Sequence, residues 1–314
     1  MMRNYSGLVI WTAVIVAQVG GIAFGTEQEG SPESGRPQSS MPNLVARSSV
    51  AWHTEYGPAM SQAEADGKMM LIYFYDLETS QNQKLLEEQS LADPQTIAVL
   101  KRDFVAVRVP LGYEVKVGGK VQPLMTFGAF SELHRRPGIA VIDFVNREEE
   151  YFGHVVSVLP LDNGKYYRFA PEYIRTLVEL PHGTLTQRTM IFAVRIHPER
   201  PASTRGRPNQ TLFAEARSHS FDQARRRLQG HHNWAARFPR ISALLPRGLR
   251  AQEVVAESWP NESLVDAAVD CVASWRQSPG HWNAVRSQQP VFGYDMKRGD
   301  NGIWYATGLF GNAD

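Results

Sequence analysis

The side chains able to do chemistry in this 314-residue chain are mainly its nine histidines and a single cysteine. One cysteine, Cys271, excludes an intrachain disulfide framework, a Cys-x-x-Cys redox centre and any multi-cysteine zinc or iron–sulfur site. Cys271 lies in an apolar helical stretch beside Ala267 and Ala268, the setting of a small core residue. Its other reading is a thiol nucleophile with His281 as base, but no oxyanion or orienting motif accompanies that pair. No His-Glu-x-x-His pattern and no serine elbow is present. Two glycine–histidine pairs lie in the second half of the chain, Gly230-His231 and Gly280-His281, and His232 adjoins the first. His281 closes a Ser-Pro-Gly stretch and has a plain reading as a hydrogen-bonding group for that turn. Glu253 reads as a helix cap, with Glu257 one turn later on the same face if the segment is helical. His219 sits mid-helix near Ala216 and Phe221 and reads as structural.

Charge gives no lead to a polyanionic partner. The chain carries 33 Lys+Arg against 32 Asp+Glu, which argues against nucleic acid. The basic run Arg225–Arg227, with Arg237, Arg240, Arg247 and Arg250, reads as a solvated face, with an anionic glycan as the lesser option. Residues 1–25 have the form of a signal peptide: Arg3, an apolar run from Leu8 to Val19, and small residues around Ala23-Phe24-Gly25. A secreted or periplasmic protein is expected, with no membrane span after cleavage and an extracellular or periplasmic ligand or protein as partner. Residues 26–49 are rich in Ser, Gly, Pro and Glu and read as a flexible linker. An exported chain without disulfides needs domains large enough to fold on their cores alone.

The elements that must position these residues follow from periodicity. A helix is expected over Tyr56–Gly67, then a buried strand in the continuous apolar run Met69–Tyr75. Helices are expected at Ser80–Gln89 and Pro94–Lys101, with strands at Phe104–Val109, Ile139–Val145 and Phe152–Val158. Pro171–Leu180 reads as a closing helix. Residues 184–228 are mostly helical in pattern, and Leu264–Trp275 is another helix. Strand signals return only at Val291–Asp295 and Ile303–Phe310. The fold class is α/β, in two domains at 50–183 and 184–314.

The first domain resembles the thioredoxin-like group of secreted proteins. The residues carrying this are Trp52, Ala59, Ala63 and Gly67-Lys68 ahead of the central strand, and the stretch Leu85–Val109 with its Asp93-Pro94 turn. In that family two cysteines open the helix after the central strand, the second preceding a lysine. The lysine here is Lys84, so the pair falls on Ser80 and Gln83. The resemblance thus implies a fold without its thiol chemistry, because exchange needs an attacking and a resolving sulfur. Pro137 matches the family's cis-proline; its other reading is a proline that opens a strand.

The second domain resembles the CAP superfamily (cysteine-rich secretory, antigen 5, pathogenesis-related; also called SCP-like) in its short bacterial form. Glu215–Asp222, Gly230-His231 and Arg237 carry the first part of the likeness. Gln252–Ala256 carries the second, and Trp275–His281 with the end from Phe292 to Gly311 carries the third. The resemblance implies an α-β-α sandwich with a cleft where His231, His281 and Glu253 could hold a divalent metal such as Zn2+. Departures are Val254 and Trp282, where the family has an asparagine and a basic residue. The expected function is an exported, non-catalytic binding protein with a redox-inactive docking domain. The competing expectation is a metal-dependent hydrolase using the His231/Glu253/His281 cleft.

Overall fold

The computed structural model describes residues 49–161 and 169–313. The expected signal at 1–25 and residues 26–48 of the expected linker lie outside them. Among the described residues no helix is long and apolar enough to cross a membrane.

The first half of the chain forms strands β1 (Trp52–His53) and β2 (Met69–Tyr75), with helix α1 (Tyr56–Asp66) between them. Helices α2 (Gln81–Leu85) and α3 (Pro94–Asp103) follow, then β3 (Phe104–Pro110) and the hairpin β4 (Glu114–Val117) and β5 (Lys120–Pro123). Strands β6 (Gly138–Ile142) and β7 (Val155–Pro160) and helix α4 (Pro171–Val178) complete it. The sheet has the order β1-β3-β2-β6-β7, parallel across β1, β3 and β2 and antiparallel from β2 to β6 to β7. Central β2 is a continuous apolar run because both its faces are covered; Met70, Leu71, Ile72 and Phe74 are fully buried. Ala59 and Ala63 of α1 are also fully buried, so small side chains let that helix sit close to the sheet.

The second half begins with α5 (Leu185–Ile196), opened by a reciprocal cap between Thr184 and Gln187. Then come β8 (Arg207–Pro208), α6 (Gln210–Arg226), α7 (Trp234–Leu244), β9 (Arg250–Glu257), α8 (Leu264–Gln277), α9 (Pro279–Arg286), β10 (Val291–Arg298) and β11 (Trp304–Asn312). The sheet order is β8-β10-β11-β9. Helix α6 packs on β10 and β11, and α8 on β9 and β11. Helix α5 packs on β7 of the first sheet and on β10 and α8 of the second half.

Several local expectations are corrected. Gln252–Ala256 belongs to strand β9, not to a helix, so Glu253 caps nothing and Glu257 is not one helical turn away. The strand expected to reach Val145 stops at Ile142, because the Asp143 carboxylate accepts the backbone N–H groups of Val145 and Asn146 and turns the chain. The next strand starts at Val155 rather than Phe152, after a turn with Gly153 at φ 72°. The hairpin β4–β5 has no counterpart among the expected elements. Among the described residues no peptide bond is cis, so Pro137 is trans and takes its strand-opening role just ahead of β6. The turn expected at Ser-Pro-Gly-His is the start of α9, with Ser278 at its cap position and Pro279, Gly280 and His281 in its first turn.

Candidate functional site

The positions that the resemblance aligns with a cysteine pair, Ser80 and Gln83, are closed by hydrogen bonds. Ser80 caps α2, its hydroxyl accepting the Gln83 N–H at 3.2 Å. The Gln83 side chain is buried; its Oε1 accepts the Asp76 N–H and its Nε2 donates to the Asp76 carbonyl, both at 3.0 Å. A primary amide satisfies both backbone groups of the turn after β2, a task a thiol does poorly. Cys271 is fully buried in α8, and burial pushes its thiol pKa up.

The histidine cluster is built from α6 outward. Among the buried residues of α6, His219, Ser220 and Gln223 point polar atoms at the sheet. Gln223 Nε2 donates to Thr307 Oγ1 at 3.0 Å, and the Ser220 hydroxyl lies 3.0 Å from the same oxygen. Gln223 Oε1 accepts the Gly230 N–H at 3.2 Å, and His219 Nε2 donates to the Gly230 carbonyl at 2.9 Å. Gly230 is therefore pinned on both sides, and the next residue, His231, is presented at the rim with 43% of its side chain exposed.

Two further elements converge there. His281 lies in the first turn of α9, which is anchored by buried Trp282, whose Nε1 donates to Glu199 at 3.1 Å. The Nε2 atoms of His231 and His281 stand 3.2 Å apart. Behind His231, Glu253 on β9 accepts a hydrogen bond from its Nδ1 at 3.0 Å. The other Glu253 oxygen lies 2.6 Å from Arg237 NH2, an ion pair at contact distance though not aligned as a hydrogen bond. Ile241 and Leu245, in a small apolar cluster with Ala251 and Leu309, hold α7 so that Arg237 reaches the acid. Arg237 also stacks on Trp234, 5.5 Å from the ring centroid.

The electrostatics follow from this arrangement. Burial pushes the Glu253 carboxyl upward, but the His231 hydrogen bond, Arg237 and His219 outweigh it and hold the group below its ordinary value. Burial and then the His231 ring lower the His281 pKa, Glu253 opposing. His219 is lowered by burial first, again with Glu253 opposing. With Glu253 ionised, His231 must place its proton on Nδ1, so its neutral form aims a bare Nε2 at His281.

The expected site residues His231, His281 and Glu253 thus share one cluster, with different roles. The histidines offer nitrogen to a common point; Glu253 stands behind one of them as its acceptor. Among the described residues no group of three or more His, Cys, Asp or Glu side chains is placed to hold a metal ion. His232 turns away, its Nε2 on the Leu228 carbonyl at 3.0 Å. The partner missed from sequence is Arg237. Its place six residues after His231 was the only signal, and it gave no hint of Glu253 on another element.

No family model and no curated protein matches the chain. Among solved structures, an outer surface protein from Borrelia burgdorferi is 18% identical over 35% of this chain and 78% of its own, with a TM-score of 0.29. A thioredoxin from Thermus thermophilus is 18% identical over 42% of this chain and 88% of its own, TM-score 0.27. A DsbH oxidoreductase is 16% identical over 42% and 85%, TM-score 0.24. Thioredoxin-like folds are therefore among the structural neighbours of part of this mixed α/β chain.

Proposed function

We propose that the chain is an exported binding protein. In this reading, residues 184–314 form a CAP/SCP-like domain that takes a ligand, partner or divalent metal at the His231/His281 pair. Residues 50–183 form a thioredoxin-like docking domain without redox chemistry. The observation that supports this most is the 3.2 Å approach of the two Nε2 atoms at an accessible rim. Two nitrogens bound to one tetrahedral zinc at ~2.0–2.1 Å stand about 3.3 Å apart, so the donor spacing fits. His231 Nδ1 on a carboxylate is the usual outer support of a metal-bound imidazole, which gives Glu253 a positioning role. With only two protein ligands, bound zinc would keep open positions for a ligand.

Binding is favoured over metal-dependent hydrolysis by the state of Glu253. A general base needs a carboxylate with a free oxygen near the reacting water and a pKa near the working pH. Glu253 is buried, held below its ordinary value, and committed through both oxygens to His231 and Arg237.

Titration calorimetry of zinc into the purified chain, with metal analysis of the protein as secreted, tests the reading. One saturable site is expected, weakened at least about tenfold in both His231→Ala and His281→Ala. Zinc binding that is absent, or indifferent to both substitutions, removes the metal from the proposal.

A further inference from the structure

A second concave site, apart from the His231/His281 cluster, lies between α4 and the loop that follows α5. The cleft has a volume of about 690 Å³, within the range of small-molecule sites. Arg195, Arg200 and Arg205 line it, with His197 and the ring of Tyr173; Glu172 is the lining carboxylate. Among the described residues none of the three guanidiniums stands in an ion pair. Arg195 is half-buried and its hydrogen-bond acceptors are neutral, the Thr204 hydroxyl at 3.4 Å and the Glu179 carbonyl at 3.1 Å; the Glu179 carboxylate acts on it only through space.

The loop carrying the other two arginines is held firmly. Ala202 N–H donates to the Arg286 carbonyl and Arg207 N–H to the Pro290 carbonyl, each at 3.0 Å. Buried Ser203 hydrogen-bonds the Tyr294 hydroxyl at 2.7 Å. At Gly206 the backbone runs so close to the next segment that a Cβ would lie 1.8 Å from the Gln289 carbonyl oxygen. Arg200, in the turn closed by its N–H on the His197 carbonyl, has φ 48°. That left-handed conformation is unfavourable for a residue with a side chain, and such strain is concentrated where a side chain is needed in place. A basic loop that is rigid, strained and engaged in no ion pair is pre-organised for an anion rather than merely soluble.

We infer that this cleft binds a phosphate or sulfate monoester of a sugar-sized molecule. Guanidinium forks match the oxygens of a tetrahedral oxyanion in paired hydrogen bonds. The volume leaves room beside the oxyanion for a ring-sized body against Tyr173. The site shares no residue with the His231/His281 cluster and does not depend on the function proposed for it.

The test is calorimetry of the full chain at low salt with glucose 6-phosphate, glucose 6-sulfate, glucose and inorganic phosphate. Saturable binding of at least one ester is expected, with none of glucose, and the tighter ester identifies the anion. Arg205→Ala weakens it by about tenfold or more. Arg200→Gly does the same while leaving thermal stability unchanged or higher, since glycine relieves the left-handed strain. His231→Ala leaves it intact. The inference is overturned if neither ester binds, if inorganic phosphate binds but the esters do not, if affinity survives both arginine substitutions, or if His231→Ala abolishes it.

Discussion

Two buried acids in this chain are handled in opposite ways, and each gives a prediction. Glu253 is kept ionised by Arg237 and His231. Arg237→Met leaves a buried carboxylate without its guanidinium and is expected to cost about 3–5 kcal/mol in denaturant unfolding. Replacing both, Arg237→Met with Glu253→Met, is expected to cost less than Arg237→Met alone; equal or greater loss would show the pair does not act as a unit. Asp295 on β10 is the reverse case. It accepts the Thr186 hydroxyl at 2.5 Å, the Met296 N–H at 2.7 Å and Gln187 Nε2 at 3.3 Å, yet burial outweighs these and raises its pKa to about 6. The folded state then takes up its proton before the unfolded chain does, so this group adds stability as pH falls from about 6 towards 3.8 and costs stability above that window. Asp295→Asn is expected to be more stable than wild type at pH 7.5, on the order of 1–3 kcal/mol, with the gap narrowing steadily below pH 6 and closing only below about pH 3.8. His219 and His281 titrate alike in both proteins and drop out of the difference. A gap that is constant across pH would show that Asp295 does not titrate in this range.

At the level of elements, the close fit of α6 on β10 sets the histidine cluster. At Gly293 an added Cβ would lie 2.4 Å from the Leu212 carbonyl carbon and 2.5 Å from the Phe213 nitrogen, so helix backbone rests on strand backbone. Gly293→Ala must push α6 outward, and with it His219 and Gln223, which pin Gly230 ahead of His231. The expected result is a loss of about 1–3 kcal/mol or more, together with weaker zinc binding although no ligand is altered. Unchanged stability would mean that α6 is free to shift. Legibility in the sequence divides along the same line. Met69–Tyr75 announced β2 because a strand covered on both faces is apolar at every position. Residues 250–257 hid β9 because Glu253, a buried acid paired with Arg237 of α7, interrupts the apolar run expected of a strand covered on both faces. The histidines were legible by type and neighbours. Arg237's hold on Glu253 was not, since neither local periodicity nor motif spacing reports a pairing between α7 and β9.

For the whole molecule, α5 decides how the two sheets are joined. Consecutive residues of its first turns face different partners: Thr186 and Gln187 reach Asp295 on β10, and Arg188 reaches Ser157 on β7. Arg188 is 1% exposed. Its Nε donates to the Ser157 hydroxyl at 2.8 Å, and its other nitrogens to the carbonyls of Leu177, Leu180 and Pro181 at 3.4, 3.0 and 2.8 Å. Burial lowers its pKa to about 10, Asp143 opposing, so it remains charged at neutral pH. One guanidinium thus caps the end of α4 and ties that corner to the first sheet. The apolar residues beside it, Met190 to Val194, belong to a single cluster that includes Leu159 of β7, Val272 of α8 and Phe292 of β10. A continuous core shared through one helix makes separate unfolding of the halves costly, because either half alone would expose a face of α5. Thermal unfolding is therefore expected as one transition, coincident by circular dichroism and tryptophan fluorescence. Arg188→Met strands the three carbonyls and the Ser157 hydroxyl, and is expected to cost on the order of 3 kcal/mol or more. Two well-separated transitions in the wild-type chain would show that α5 belongs to one half only, and that the halves fold as independent bodies.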